Sequence, residues 1–231
     1  MVMLPKKSKL TKCEEYRTLS ILTHTSKILR KIILGRMEKN IEEKLAEEQF
    51  VFRKNRRTRE VNLCLRNILE KSFTVNEKVY IAFVDLLRAF DSVNCKVMMK
   101  ILKMIKIDYR GRIIIRELYG HQTTSIKIKE NKREAAIRKV VRQGCKLSPL
   151  LFNIYIERII NKCKEYCTWI KVNGERIHKL SFADDIAFIA QGEINLKRAL
   201  ESLDDILKNN YQIKINRKNR SNGLLQRFWK Y

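Results

Sequence analysis

The chain has 231 residues, with 50 Lys and Arg against 25 Asp and Glu, a formal net charge of +25 and a pI near 10.0. So basic a surface calls for a polyanionic partner, nucleic acid ahead of an anionic membrane, and a hydrophobic content of 45% suffices for one large domain or two tightly joined subdomains with a core. No apolar run approaches the roughly 18 residues of a membrane span, and residues 1–10 are too polar for a secretory signal, so the expectation is an intracellular protein, nuclear or cytoplasmic, neither secreted nor membrane-bound, with no obligate protein partner implied.

In chain order, residues 45–70 show helical spacing with a charged face. Within them Arg53-Lys54-Asn55-Arg56-Arg57-Thr58-Arg59 carries five cations in seven residues, a run able to follow a phosphate backbone and equally readable as an import signal or a solvated loop. Val79-Tyr80-Ile81-Ala82-Phe83-Val84 is rich in β-branched and aromatic residues and reads as a buried strand ending in Asp85. Asp91 follows six residues later, and before Ser92-Val93 it reads as well as a helix N-cap. Another strand is expected at 126–129. Gly144 permits a close backbone approach, and Ser148-Pro149 looks like an N-cap and N1 pair opening a helix over 149–164. Strands over 177–180 and 186–189 flank Phe182-Ala183-Asp184-Asp185, and 196–207 is again helical. The sum is an α+β fold with no flexible linker and no internal repeat.

Adjacent carboxylates near a core repel each other and lose hydration, which is costly unless a cation occupies the space between them. A divalent metal is the usual solution, although Asp-Asp also suits a solvated hairpin tip. Asp85, on a separate strand, favours the metal: carboxylates from separate elements can hold two ions about 3.5–4 Å apart, one at the attacking and one at the leaving oxygen. Phosphoryl or nucleotidyl transfer becomes the leading reaction class. The six cysteines are scattered, and Cys163 and Cys167, one helical turn apart, have no second pair or nearby histidine at zinc spacing. His24, His121 and His178 occur singly, and no Ser-His-Asp triad or phosphate-binding glycine loop is present.

The order of motifs resembles the reverse transcriptase domain of non-LTR (LINE-type) retrotransposons over nearly the whole chain. Tyr16-Arg17-Thr18-Leu19-Ser20 through Ser26-Lys27-Ile28-Leu29 is similar to the first finger motif, and Glu48-Gln49-Phe50-Val51-Phe52-Arg53-Lys54 to the second. The stretch from Ala82 through Asp85 to Phe90-Asp91 resembles palm motif A, that from Gln143-Gly144-Cys145 to Glu157 motif B, Phe182-Ala183-Asp184-Asp185 motif C, and Ile213-Lys214-Ile215-Asn216 motif D.

The resemblance implies a right-hand polymerase fold, with fingers over 1–75, a palm with an antiparallel sheet over 76–217, and a short atypical tail over 218–231. Asp85, Asp184 and Asp185 would hold two magnesium ions, manganese being a possible substitute. Phe90 would act as a steric gate against a ribose 2′-hydroxyl; on the residues alone it reads as a core aromatic. Gln143 and Gly144 would lie beside the incoming nucleotide, and Arg17 and Lys27 near its triphosphate. Arg53, Lys54, Arg56, Arg57 and Arg59 would contact nucleic acid. The implied activity is RNA-directed DNA polymerisation from an RNA template, a DNA primer and deoxynucleoside triphosphates; the rival reading is an inactive nucleic-acid-binding remnant.

Several positions depart from the family pattern. Val51 stands where glycine is usual, and a β-branched residue adopts a positive φ poorly if one is required there. Arg57 replaces a small residue. After Asn216, the run Arg217-Lys218-Asn219-Arg220-Ser221-Asn222-Gly223 replaces a Lys-Thr-Lys-like segment, and the expectation is a truncated or frame-shifted end lacking the thumb.

Overall fold

A computed structural model of the chain describes residues 2–5, 16–19, 21–53, 56, 58–87, 89–120, 122–128, 131–137, 147–164, 170–172, 174–182 and 185–216. Its elements are β1 (Val2–Pro5), β2 (Tyr16–Leu19), α1 (His24–Glu42), α2 (Thr58–Thr74), β3 (Tyr80–Leu87), a 3-10 turn (Ala89–Ser92), α3 (Cys95–Met104), α4 (Tyr109–Gly120), β4 (Gln122–Ile128), β5 (Asn131–Ile137), α5 (Leu147–Cys163), β6 (Ile170–Val172), β7 (Glu175–Ile177), β8 (Lys179–Phe182), β9 (Asp185–Ala190), α6 (Glu193–Ile206), a π turn (Leu207–Tyr211) and β10 (Lys214–Ile215). The fold is α+β. Two compact units emerge, each drawn from two stretches: Met1–Lys44 with Val93–Phe152, and Leu45–Ser92 with Asn153–Tyr231.

In the first unit, α1 begins where the Thr23 hydroxyl accepts from the Ser26 N–H at 3.3 Å, an N-cap that satisfies an otherwise orphaned donor. It buries Ile33, Met37 and Ile41 at four-residue spacing, and its buried Arg30 lies over the Tyr119 ring of α4 at 5.1 Å. The N-cap of α3 is Asn94, whose side chain accepts from Lys96 and Val97. Asp91 is therefore not the cap of the following helix; it lies within the 3-10 turn. The strands β4 and β5 form an antiparallel hairpin.

The second unit is built on an antiparallel sheet in the order β10-β3-β9-β8. One face carries Ala82, Val84, Leu86, Ile186 and Phe188, all buried, and Lys179 on that face bonds Glu157 of α5 at 2.7 Å with both side chains out of solvent. On the other face Ile81, Leu180, Ala187 and Ile189 join Phe50, Ile68, Val79 and Ile170 in one apolar cluster, with Val61, Cys64, Leu65 and Leu69 packed against it. This alternation is what period-2 patterning produces when a sheet is covered on both sides.

The structure corrects four sequence expectations. The helix predicted over 45–70 begins only at Thr58, because the preceding backbone bonds elsewhere. Phe50 donates to Ser181 of β8 and Ser181 to Glu48, Asn153 donates to the Val51 carbonyl at 2.6 Å, and Arg53 donates to the Ala46 and Gln49 carbonyls. Carbonyls satisfied in this way do not need a helical partner. The strand predicted over 177–180 is two strands with a corner at His178. The helix α5 starts at Leu147, so Ser148 is not its N-cap; it sits buried in the first turn, 3.4 Å from the Tyr119 hydroxyl. Pro149 fits there because the first-turn N–H groups have no intrahelical acceptor. Finally, β3 runs two residues past Asp85, where Leu86 and Leu87 pair with Ile215 and Lys214 of β10.

Candidate active site

Asp85 of β3 and Asp185 at the start of β9 are direct partners across the antiparallel ladder. Opposed residues of such a pair share a face of the sheet, with Cβ atoms about 4.5–5.5 Å apart. The local sequence dictates this: alternation along Ile81, Phe83, Asp85 and Leu87 puts the acid on the face opposite Val84 and Leu86. Toward this end of the sheet the α2 cluster gives out. Phe83 and Leu87, flanking Asp85 on the same face, are 41% and 40% exposed, Asp85 is half-buried and Asp185 exposed. Two acids thus meet at an open stretch of an otherwise covered sheet.

Asp85 is held in place from a third strand. The Asn216 side-chain amide donates to Asp85 Oδ2 at 2.7 Å, and its backbone N–H donates to the Asp85 carbonyl at 2.8 Å. The pairing of β10 with β3 brings the two residues together from 131 positions apart. Although Asn216 belongs to the stretch resembling motif D, sequence gave it no role in the site.

The donor set suits a divalent cation. Carboxylate oxygens are hard ligands of the kind magnesium prefers, and like charges directly opposed across a ladder destabilise it unless something cationic lies between them. Among the described residues no group of three or more His, Cys, Asp or Glu forms a complete metal-binding set. Asp184, the third acid of the expected set, lies outside the described residues, as do Gln143, Gly144, Lys54 and Arg57.

The other expected residues are distributed as follows. Phe90 lies in the 3-10 turn directly after β3 and is half-buried, so its ring is not enclosed in the core. Arg17 is on β2 opposite Leu4, and Lys27 is exposed in the first turn of α1; both belong to the first unit, whereas Asp85 and Asp185 belong to the second. Arg59 is exposed at the start of α2.

Two residues of the basic run turn inward. The Arg53 side chain is 5% exposed and bonds the carbonyls of its own loop. Arg56 pairs with Glu47 and stacks over Phe50 at 5.4 Å. Both guanidinium groups hold the loop against the sheet. The left-handed backbone position also differs from expectation: it falls on Phe52, with φ 59, so Val51 escapes the strain and Phe52 bears about 1–2 kcal/mol of it.

Comparison with known proteins fits this geometry. The chain matches the reverse transcriptase (RNA-dependent DNA polymerase) family over residues 4–221. Over 127 residues it is 32% identical to the retrovirus-related Pol polyprotein of type-1 retrotransposable element R2 from Nasonia vitripennis, a stretch covering 54% of this chain and 12% of that protein. The corresponding R2 polyprotein of Popillia japonica is 24% identical over 212 residues, 89% of this chain and 29% of its own length. The chain thus spans less than a third of either relative. Its fold is similar to that of apo telomerase from Candida tropicalis truncated from the C-terminal domain, with a TM-score of 0.57 at 15% identity over 85% of this chain and 40% of that one. With opposed acids on adjacent palm-like strands, a shared fold and a family match over nearly its whole length, the chain belongs to the reverse transcriptase (RNA-dependent DNA polymerase) family.

Proposed function

We propose that this domain carries out RNA-directed DNA synthesis, adding deoxynucleotides to a DNA primer on an RNA template. The observation that carries the proposal is the pairing of Asp85 with Asp185 on the open stretch of the sheet. Asp184, adjacent in sequence, completes three carboxylates for two magnesium ions. Bound there, the ions would activate the attacking oxygen and neutralise charge on the leaving one.

The primer 3′-oxygen forms a bond to the α-phosphorus of the triphosphate, the bond from that phosphorus to the pyrophosphate oxygen breaks, and the hydroxyl proton passes to solvent. The contribution of the protein is position and charge. Asp85, fixed by Asn216, and Asp185 define the reacting centre. Phe90, five residues after Asp85, excludes a ribose 2′-hydroxyl; Gln143 and Gly144 flank the incoming nucleotide, and Arg17 and Lys27 meet its triphosphate. Arg59, with Lys54 and Arg57, contacts the nucleic-acid backbone.

Extension of oligo(dT) on poly(rA) with dTTP by the intact chain tests this reading. Magnesium-dependent synthesis is expected, abolished by Asp85→Asn and by Asp185→Asn. No synthesis by the unaltered chain, or full synthesis by both variants, would contradict it.

A further inference from the structure

The helix α3 presents a row of lysines that have no counter-charge among the described residues. Lys96, Lys100 and Lys103 are exposed and stand at i, i+4 and i+7, which places them on one helix face, while the opposite face buries Met98, Ile101 and Leu102. Exposed Lys106 follows in the turn after the helix, with φ 62. No acidic residue occurs in α3, and among the described residues none of the three lysines has a carboxylate within 4.0 Å. Some solvent-facing cations elsewhere are matched: Arg66 with Glu70 on α2, Lys197 with Glu201 on α6, and Lys208 with Asp204 beyond it. Like charges four residues apart cost a helix about 0.2–0.5 kcal/mol per pair, so the spacing works against α3 on its own and is relieved by an anion.

We propose that this row is a second nucleic-acid contact, binding the sugar-phosphate backbone of an RNA or DNA strand through residues other than those of the carboxylate site. Seven residues of helix span about 10 Å, the axial length of about three phosphates of one strand. Lysine meets phosphate as a flexible point charge and does not read bases. An anionic membrane is the poorer match, because an interfacial helix needs apolar side chains beside its cations to enter the lipid boundary. In α3 those side chains face the core, and Met104 is the one large apolar residue strongly exposed, at 56%.

Lysine-selective chemical labelling of the intact chain, read by mass spectrometry, tests the contact without altering the protein. A bound RNA duplex is expected to protect Lys96, Lys100 and Lys103, and a DNA duplex to protect them alike, since phosphate contacts carry no sugar code. In salt titrations the Lys96→Gln/Lys100→Gln/Lys103→Gln variant should lower the slope of log affinity against log salt by about 2–3. Arg66→Gln/Lys197→Gln/Lys208→Gln, which removes the same charge from matched cations, should leave the slope nearly unchanged. Equal labelling with and without duplex, equal slopes in the two variants, or protection by phosphatidylserine vesicles in place of nucleic acid would overturn the proposal. Asp85→Asn should not affect protection, so failure of the catalytic reading and failure of this surface are distinguishable.

Discussion

Asp85 is placed by three neighbours, each contributing something different. Its own strand gives the face, Asp185 across the ladder gives the second acid, and Asn216 fixes the carboxylate through Oδ2. A carboxylate that swings freely must lose that freedom each time it takes up an ion, so a neighbour that fixes it beforehand lowers the entropic cost of binding. Replacing such a supporting residue typically costs 10–100-fold in metal affinity or activity. Asn216→Ala should therefore raise the magnesium concentration needed for half-maximal synthesis by about 10–100-fold, and Asn216→Asp should do worse by setting a like charge against Asp85. Both are measured by magnesium titration of primer extension, and an unshifted magnesium curve in Asn216→Ala would reduce its bond to fold maintenance. Alternation along the strand makes Asp85 legible in the sequence. The role of Asn216 is not legible, because the contact depends on where β10 closes against β3, 131 residues away. Phe52 makes the same point: a residue missing from the pattern at Val51 is accommodated one position later.

At the scale of elements, buried strands and the amphipathic α6 follow from local periodicity, and the sequence places them within a few residues. The segment before α2 does not. Its apolar spacing suits a helix, yet Asn153, Ser181 and Arg53 take up its backbone groups, and tertiary bonds outweigh local preference. The corner at His178 is another such place. Its imidazole is fully buried and its pKa is lowered from 6.5 to about 3, by loss of solvation first and then by Lys179 and Lys164. Glu48 Oε1, 4.0 Å from Nδ1, opposes this without outweighing it. The folded protein keeps the ring neutral at a pH where the unfolded chain protonates it. Its contribution to stability is complete above about pH 6.5 and is lost as pH falls from there towards about 3, at up to about 1.4 kcal/mol per pH unit. Denaturant midpoints should decline over that window, and His178→Gln should flatten the decline. An identical pH profile in the variant would assign the acid sensitivity to other groups.

For the whole molecule, net charge predicts a nucleic-acid partner without locating it. The structure redistributes that charge: Arg53 and Arg56 serve the loop, Arg66, Lys197 and Lys208 meet carboxylates, and the α3 row meets no carboxylate among the described residues. Composition cannot separate these classes, because pairing depends on helix register and on loop closure rather than on residue counts. Among the described residues no helix is long and apolar enough to cross a membrane. Family and fold are legible across the chain from motif order, while the division into two units, each using two separated stretches, follows from contacts that no linear pattern displays.

The most direct test of the central claim is anomalous diffraction from crystals of the chain grown with manganese, a primer-template duplex and a non-reactive deoxynucleotide. Two manganese peaks about 3.5–4 Å apart are expected, bound by Asp85, Asp184 and Asp185, with Asn216 still bonded to Asp85. Manganese bound only elsewhere, or a ternary complex whose nucleotide lies away from Asp85 and Asp185, would contradict it.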